Sequence, residues 1–163
     1  MPDVIRFSQQ GQSQTQWCWA AVAASTSLCY DPTSSWTQCL VADAVLSVNG
    51  CCGNGRPCNV PSSLSAALNH TGNQQAGSPI SGRISRASLC DEIRAGRPVP
   101  IRVLNSDGVS AHFVVVTGFD DRPDGDIDLR IQDPWGPQLL TTSYNDLASG
   151  RFGREWTHTY LTL

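Results

Sequence analysis

The sequence predicts an α+β fold, with a helical first half followed by a mostly antiparallel sheet. Three observations carry this expectation. Residues 18–29 are rich in alanine and apolar nearly all round, as a buried helix is. Beyond Gly96 the chain turns to Val, Ile, Phe and Thr, in runs at 99–104, 113–118, 127–131 and 157–163. Between those runs lie Asn105-Ser106-Asp107-Gly108 and Pro123-Asp124-Gly125, both strong turn formers.

The remaining helices follow from start and stop signals. Asp31-Pro32 punctuates the first helix. A second is expected from near Ser34 or Ser35, carrying Leu40, Val41, Ala44 and Val45 and stopping before Asn49-Gly50. Asn59 precedes a third, with Pro61 in its first turn, Leu64 and Leu68 on one face and Gly72 beyond its end. In a fourth, Ser88 and Asp91 stand three apart as a capping box, and Gly96 terminates it.

A chain of 163 residues fits one domain, here with a helical lobe over about 1–75 and a β-rich lobe over about 76–163. Net charge is −3, lysine is absent, and the eleven arginines form no basic block. Phosphate-backbone binding needs a concentrated positive surface, so a nucleic-acid partner is not expected. No run approaches the ~20 apolar residues of a membrane span. Residues 1–16 lack the basic start and apolar stretch of a signal peptide, so export would need a removed leader or a dedicated secretion machine.

Seven cysteines are many for a cytosolic enzyme, and the odd count leaves at least one thiol without an internal partner. Cys39, Cys51, Cys52 and Cys58 cluster within twenty residues. Adjacent cysteines rarely bridge each other, so Cys51 and Cys52 are expected to reach different partners in structural disulfides. Zinc is the rival, but the spacing lacks the paired-knuckle arrangement.

Cys18 stands apart, where the polar loop 12–16 turns into the alanine-rich helix. Most cysteines are core residues or disulfide partners. A thiol in a first helical turn, however, faces unpaired N–H groups and the positive end of the helix dipole, which favour thiolate and make a nucleophile. Trp17 and Trp19 beside it are large enough to wall a cleft.

A cysteine nucleophile needs a base, and the histidines are His70, His112 and His158. His70 suits the end of a helix, and His158 a strand with alternating neighbours. His112 opens the intensely apolar Phe113-Val114-Val115-Val116, an unusual place for a titrating group unless that strand end faces a cleft. A turn centred near Arg122-Pro123 would set residues whose numbers sum to about 245 opposite each other, and His112 and Asp133 meet this sum. A carboxylate beside an imidazole fixes its tautomer and supports the imidazolium. Gln12, six residues before Cys18, has amide hydrogens for a developing oxyanion, although four other glutamines lie nearby. The five carboxylates of 120–128 do not match an EF-hand loop and read better as decoration of a turn than as a Ca²⁺ site.

At these residues the chain resembles the papain-like cysteine peptidases, and more closely their small bacterial AvrRpt2-like branch. The resembling blocks are Gln12 with Cys18-Trp19-Ala20-Ala21, Gln38-Cys39, Cys51-Cys52, Cys58-Asn59, His112-Phe113-Val114-Val115, Asp133-Pro134-Trp135 and Trp156-Thr157-His158-Thr159-Tyr160. The resemblance implies a two-lobe fold, helices packed on an antiparallel sheet or barrel, with substrate in the cleft between them. It also implies Cys18 as nucleophile, His112 as base, Asp133 as orienting residue, Gln12 in the oxyanion hole and Trp135 as cover over the His112–Asp133 pair. Thr15 stands where papain itself has a cysteine, and the chain is much shorter than full-length papain-type enzymes.

The leading expectation is therefore peptide-bond hydrolysis through a Cys-His-Asp triad and a thioester, with no metal or organic cofactor. Its substrate would be a protein or peptide, and its setting that of a secreted or delivered bacterial effector, open to control by an inhibitor or immunity protein. The same catalytic group could serve a toxin acting as a peptidoglycan amidase or endopeptidase, a deamidase or an acyltransferase. A non-catalytic binding module stapled by the cysteine cluster would leave Cys18 and the His112–Asp133 pair as accidents.

Overall fold

A computed structural model describes residues 3–163, in the order β1 (Asp3–Val4), α1 (Cys18–Tyr30), α2 (Gln38–Leu46), a 3-10 turn (Arg56–Cys58), α3 (Leu64–Thr71), β2 (Ile80–Ser81), α4 (Arg86–Arg94), β3 (Val99–Leu104), β4 (Ala111–Asp121), β5 (Ile127–Asp133), β6 (Gln138–Ser143), α5 (Tyr144–Ser149) and β7 (Glu155–Thr159). Helices α1 to α3 precede a single antiparallel sheet in the order β2-β7-β3-β4-β5-β6, with β1 added along β4. The α+β class and the helical-then-β order hold. The barrel alternative does not: among the described residues the sheet is open, ending at β2 and β6.

Two cores share β4. Phe113 and Val115 face the helices, in one cluster with Trp17, Trp19, Val22, Leu64 and Leu68. Val114 and Val116 face the other way, packing with Leu89 and Ile93 of α4 and Leu147 of α5. Helix α1 is buried from Cys18 to Ser27, and for that reason has no polar stripe over that length. Its alanines let neighbouring helices approach closely. Its buried Ser25 Oγ is satisfied, donating to Ala21 O at 2.7 Å and accepting from Gln10 N at 2.9 Å.

Helix starts differ from expectation by one capping choice each. Ser34 is drawn into a 2.6 Å contact with Ser27, and Thr37 caps α2 instead, accepting from Leu40 N. Ser63 caps α3, so Pro61 lies before the helix. Ser85 caps α4, one turn before the expected Ser88 and Asp91, and Ser88 N donates back to it. The final strand ends at Thr159. The sequence reading missed β1, β2, β6 and α5: β1 and β2 have two residues each, β6 is an edge strand with Leu139 exposed, and α5 has only six residues.

The β4–β5 register also differs. The turn is centred on Asp124, so Asp120 pairs with Asp128 and Gly118 with Arg130, numbers summing to 248. A bulge at Thr117 then reduces the sum to 247, with Val116 opposite Ile131 and Val115 opposite Gln132. The bulge shows in the packing: Val116 and Phe119, three apart, point into the same core. The Thr117 carbonyl accepts from Ile5 N at 2.8 Å, and an added Cβ at the next residue, Gly118, would lie 2.9 Å from Asp3 O. The close approach of the N-terminal segment is what requires glycine there.

The clustered cysteines form two disulfides, Cys39–Cys52 and Cys51–Cys58, so the adjacent pair takes different partners as expected. Together they tie the start of α2 to the loop before α3. That loop in turn holds α1: Trp17 Nε1 donates to Cys58 O at 2.8 Å and Trp19 Nε1 to Val60 O at 3.0 Å.

Candidate active site

Cys18 is the first residue of α1, and it is free, as are Cys29 and Cys90. The N–H groups of a first helical turn have no acceptor inside the helix, so they are available to a ligand beside the thiol. The loop leading to Cys18 is fastened from several sides. Gln38 Oε1 accepts from Ser13 N at 2.9 Å and Ser13 Oγ at 3.0 Å, while its Nε2 donates to Gly11 O at 2.9 Å. Asn59 Oδ1 accepts from Gln16 N at 2.8 Å, and its Nδ2 donates to Thr15 Oγ1 at 2.9 Å. These ties set the position of the thiol before any substrate arrives.

His112 lies near the start of β4, opposite Val103 of β3. Its Nε2 is 2.6 Å from Asp133 Oδ1 at the end of β5. The Asp133 side chain is fully buried, and the same Oδ1 accepts from Trp135 N at 2.8 Å. Its other oxygen faces Arg154 Nη1 at 3.4 Å. Burial opposes ionisation of this carboxyl, but the bonds from His112 and Trp135 N, with the charges of His112 and Arg154, hold it below the ordinary carboxylate value. Burial likewise opposes the imidazolium. The hydrogen bond to Asp133 and the nearby Cys18 thiol, with the charges of both, outweigh it and raise His112 to about 9.

Asp133 occupies Nε2, which leaves Nδ1 for the thiol side. Among the described residues, the Asp133 contact is the one fully formed side-chain hydrogen bond on this ring. The thiol is near enough to raise the ring's proton affinity. A cleft of about 330 Å³ opens at Cys18, with Trp19, Pro61, Arg102, Ser110 and Phe113 among its walls.

The other expected residues fall as follows. Trp19 walls the cleft, whereas Trp17 is buried in the helical core and acts through its bond to Cys58 O. Trp135 is 55% exposed and serves Asp133 through its backbone N–H. Gln12 N donates to Pro134 O at 2.9 Å, joining the loop before Cys18 to the residue after Asp133. Its Nε2 donates to Thr15 O at 2.7 Å and Gln14 O at 3.1 Å. His70 is exposed at the end of α3, and His158 Nδ1 meets Thr157 Oγ1 at 3.1 Å. In the acidic turn, Arg122 binds Asp124 and Asp128, and Arg130 pairs with Asp120. Arg154 was missed. It follows a Gly-Arg-Phe-Gly stretch with no local signal, and only the β7 pairing brings it to the carboxylate.

No helix of the described residues is long and apolar enough to cross a membrane. No curated protein matches the chain. The model of the Peptidase_C39 like family matches residues 1–160, nearly the whole chain, and this supports hydrolytic activity in general. The match lies within the papain-like cysteine-peptidase superfamily and does not select the AvrRpt2-like branch. This chain belongs to the Peptidase_C39 like family.

Proposed function

We propose that this protein is a cysteine peptidase, with Cys18 as nucleophile, His112 as its acid and base, and Asp133 as the residue that orients His112. The observation that carries the reading is the position of His112, bound through Nε2 to a buried carboxylate and adjoining the thiol at the mouth of a cleft. In this reading the Cys18 thiolate attacks the peptide carbonyl carbon, and the carbonyl electron pair moves onto oxygen. The tetrahedral intermediate collapses as His112 gives its proton to the leaving amine, leaving a thioester. Water then gives a proton to His112 and attacks the thioester. The C–S bond then breaks, the acid product departs, and the Cys18 thiolate is left beside the His112 imidazolium that holds the proton from water.

The N–H groups at the start of α1 face the developing oxyanion. Gln12 adds the hydrogen of its longer contact, that to Gln14 O, while the shorter one to Thr15 O anchors the amide. Residues 1–163 act as one catalytic domain, with substrate between the helical part and the β-rich part. The two disulfides support a site of action outside a reducing cytosol. The AvrRpt2-like blocks support a delivered effector that cleaves protein, and purified cell wall tests the other acyl substrates.

The test exposes a mixed protein library and purified cell wall to the protein and to Cys18→Ala, with products read by mass spectrometry. New peptide termini that depend on Cys18 support the proposal. Cys18-dependent products from cell wall alone, or none from either substrate, would overturn peptidase action on proteins.

A further inference from the structure

Arginines in this chain mostly face carboxylates. Arg86, Arg94, Arg97, Arg122, Arg130, Arg151 and Arg154 each pair with an Asp or Glu. Arg6, Arg56 and Arg83 have no such partner among the described residues, but all three are exposed, where water serves. Arg102 differs from both groups. It is half-buried on the inner strand β3, between Phe113 of β4 and His158 of β7. Its Nη1 donates to the neutral Thr157 Oγ1 at 2.9 Å, and no carboxylate pairs with it among the described residues.

Arg102 also lines the cleft at Cys18, where Trp19, Pro61 and Phe113 supply apolar walls and Ser62 supplies a hydroxyl. Asp107, the acidic residue of the rim loop, is exposed and engaged within its own loop, accepting from Val109 N and Ser110 N, each at 2.9 Å, and from Ser110 Oγ. A guanidinium always carries its charge and presents a fork that fits a carboxylate in bidentate fashion. Partial removal from water strengthens its attraction to an anion. A cleft whose one fixed cation has no counter-ion of its own is complementary to an anionic substrate.

We propose that the cleft selects acidic peptides, with Arg102 binding a substrate carboxylate close to the reacting bond. This rests on the reading of the Cys18 cleft as the substrate site. It adds a specificity-determining residue outside the catalytic group, and the carboxylate comes either from an Asp or Glu side chain or from the end of a peptide.

The test reads binding rather than turnover. Matched octapeptides carry Glu, Gln or Lys at one position at a time, each made as C-terminal acid and as amide. Their power to slow alkylation of Cys18 by iodoacetamide is measured, with the unprotected rate of the same variant as reference. At one position the Glu amide, or in every sequence the acid over the amide, should protect at roughly tenfold lower concentration than its neutral match. The first outcome assigns a side chain and the second a chain end.

Arg102→Gln should reduce that preference to below about twofold, while Arg102→Lys should keep much of it. In the unaltered protein the preference should weaken as salt is raised, a readout that needs no variant. Equal protection by acidic and neutral peptides, or a preference that survives Arg102→Gln, overturns the proposal. Selective protection without cleavage would count against the peptidase reading while leaving the acidic subsite in place.

Discussion

His112 Nε2 reaches Asp133 Oδ1 at 2.6 Å from a diagonal position across the β4–β5 ladder. The register at Val115 and Gln132, continued one step, sets Asp133 opposite Val114, two residues from His112. Diagonal neighbours on one face of a sheet lie ~7–8 Å apart, within reach of long side chains. The Thr117 bulge is what puts them on one face: without it, the spacing from the turn would turn Asp133 away from His112.

This geometry separates Asp133 from the aspartates of the turn. Asp133→Asn should keep much of the activity, because an amide oxygen still accepts from the imidazole. Asp133→Ala should lose about 10²-fold or more, and Asp121→Ala should leave the chemical step nearly untouched. Single-turnover acylation of Cys18 by an activated peptide ester, with folding checked by thermal unfolding, measures all three. A full rate in Asp133→Ala would contradict the orienting role.

The raised proton affinity of His112 gives two pH effects. Activity should fall as pH rises through about 9, where the imidazolium loses the proton owed to the leaving amine. Since the folded value lies above the ordinary 6.5, the stability from this proton is fully present below pH 6.5 and is lost as pH rises through about 9. His112→Ala should flatten that loss in denaturant titrations at pH 6, 8 and 10. Asp133 has the opposite sign: its folded value is depressed, so its contribution holds above the ordinary 3.8 and is lost as pH falls through the lower value.

Gln12→Ala should lower kcat by ~10²–10³ through loss of an oxyanion donor, with KM changed little. A rise in KM with kcat intact would show that the amide serves the loop carbonyls of Gln14 and Thr15 and no more. Steady-state kinetics on one peptide distinguishes the two results.

Removing the disulfides should loosen the hold on α1. Each closes a short loop and stabilises by roughly 2–4 kcal/mol, so reduction should lower Tm and speed loss of activity on warming. Thiol counting in denaturant should find three free thiols before reduction, those of Cys18, Cys29 and Cys90, and seven after. One bound zinc with seven free thiols would contradict the pairing.

Much of this site was legible because its signals are local. A cysteine at the border of a polar loop and an alanine-rich run, and a histidine opening a valine run, can be seen without tertiary structure. The hairpin reading brought His112 and Asp133 together through a register two short of the real one, because Gly118, which can mark a bulge, reads in the sequence as the end of the 113–118 run. Arg154 and Arg102 were not legible for a different reason. Whether an arginine meets a carboxylate depends on β7 pairing with β3, which joins segments some fifty residues apart. Strand β6 was missed because Leu139 and Leu140 are adjacent and Thr141, Thr142 and Ser143 follow, so the run lacks the apolar–polar alternation that marks a half-exposed strand.

The central claim is that Cys18 is a nucleophile activated by His112, and alkylation by iodoacetamide at pH 6 tests it most directly. Cys29 and Cys90 serve as internal references, since burial pushes both thiols up. Peptide mapping should find Cys18 labelled stoichiometrically and at least about tenfold faster than either reference, with that advantage lost in His112→Ala. Labelling of Cys18 no faster than Cys29, or equally fast in His112→Ala, would contradict the account.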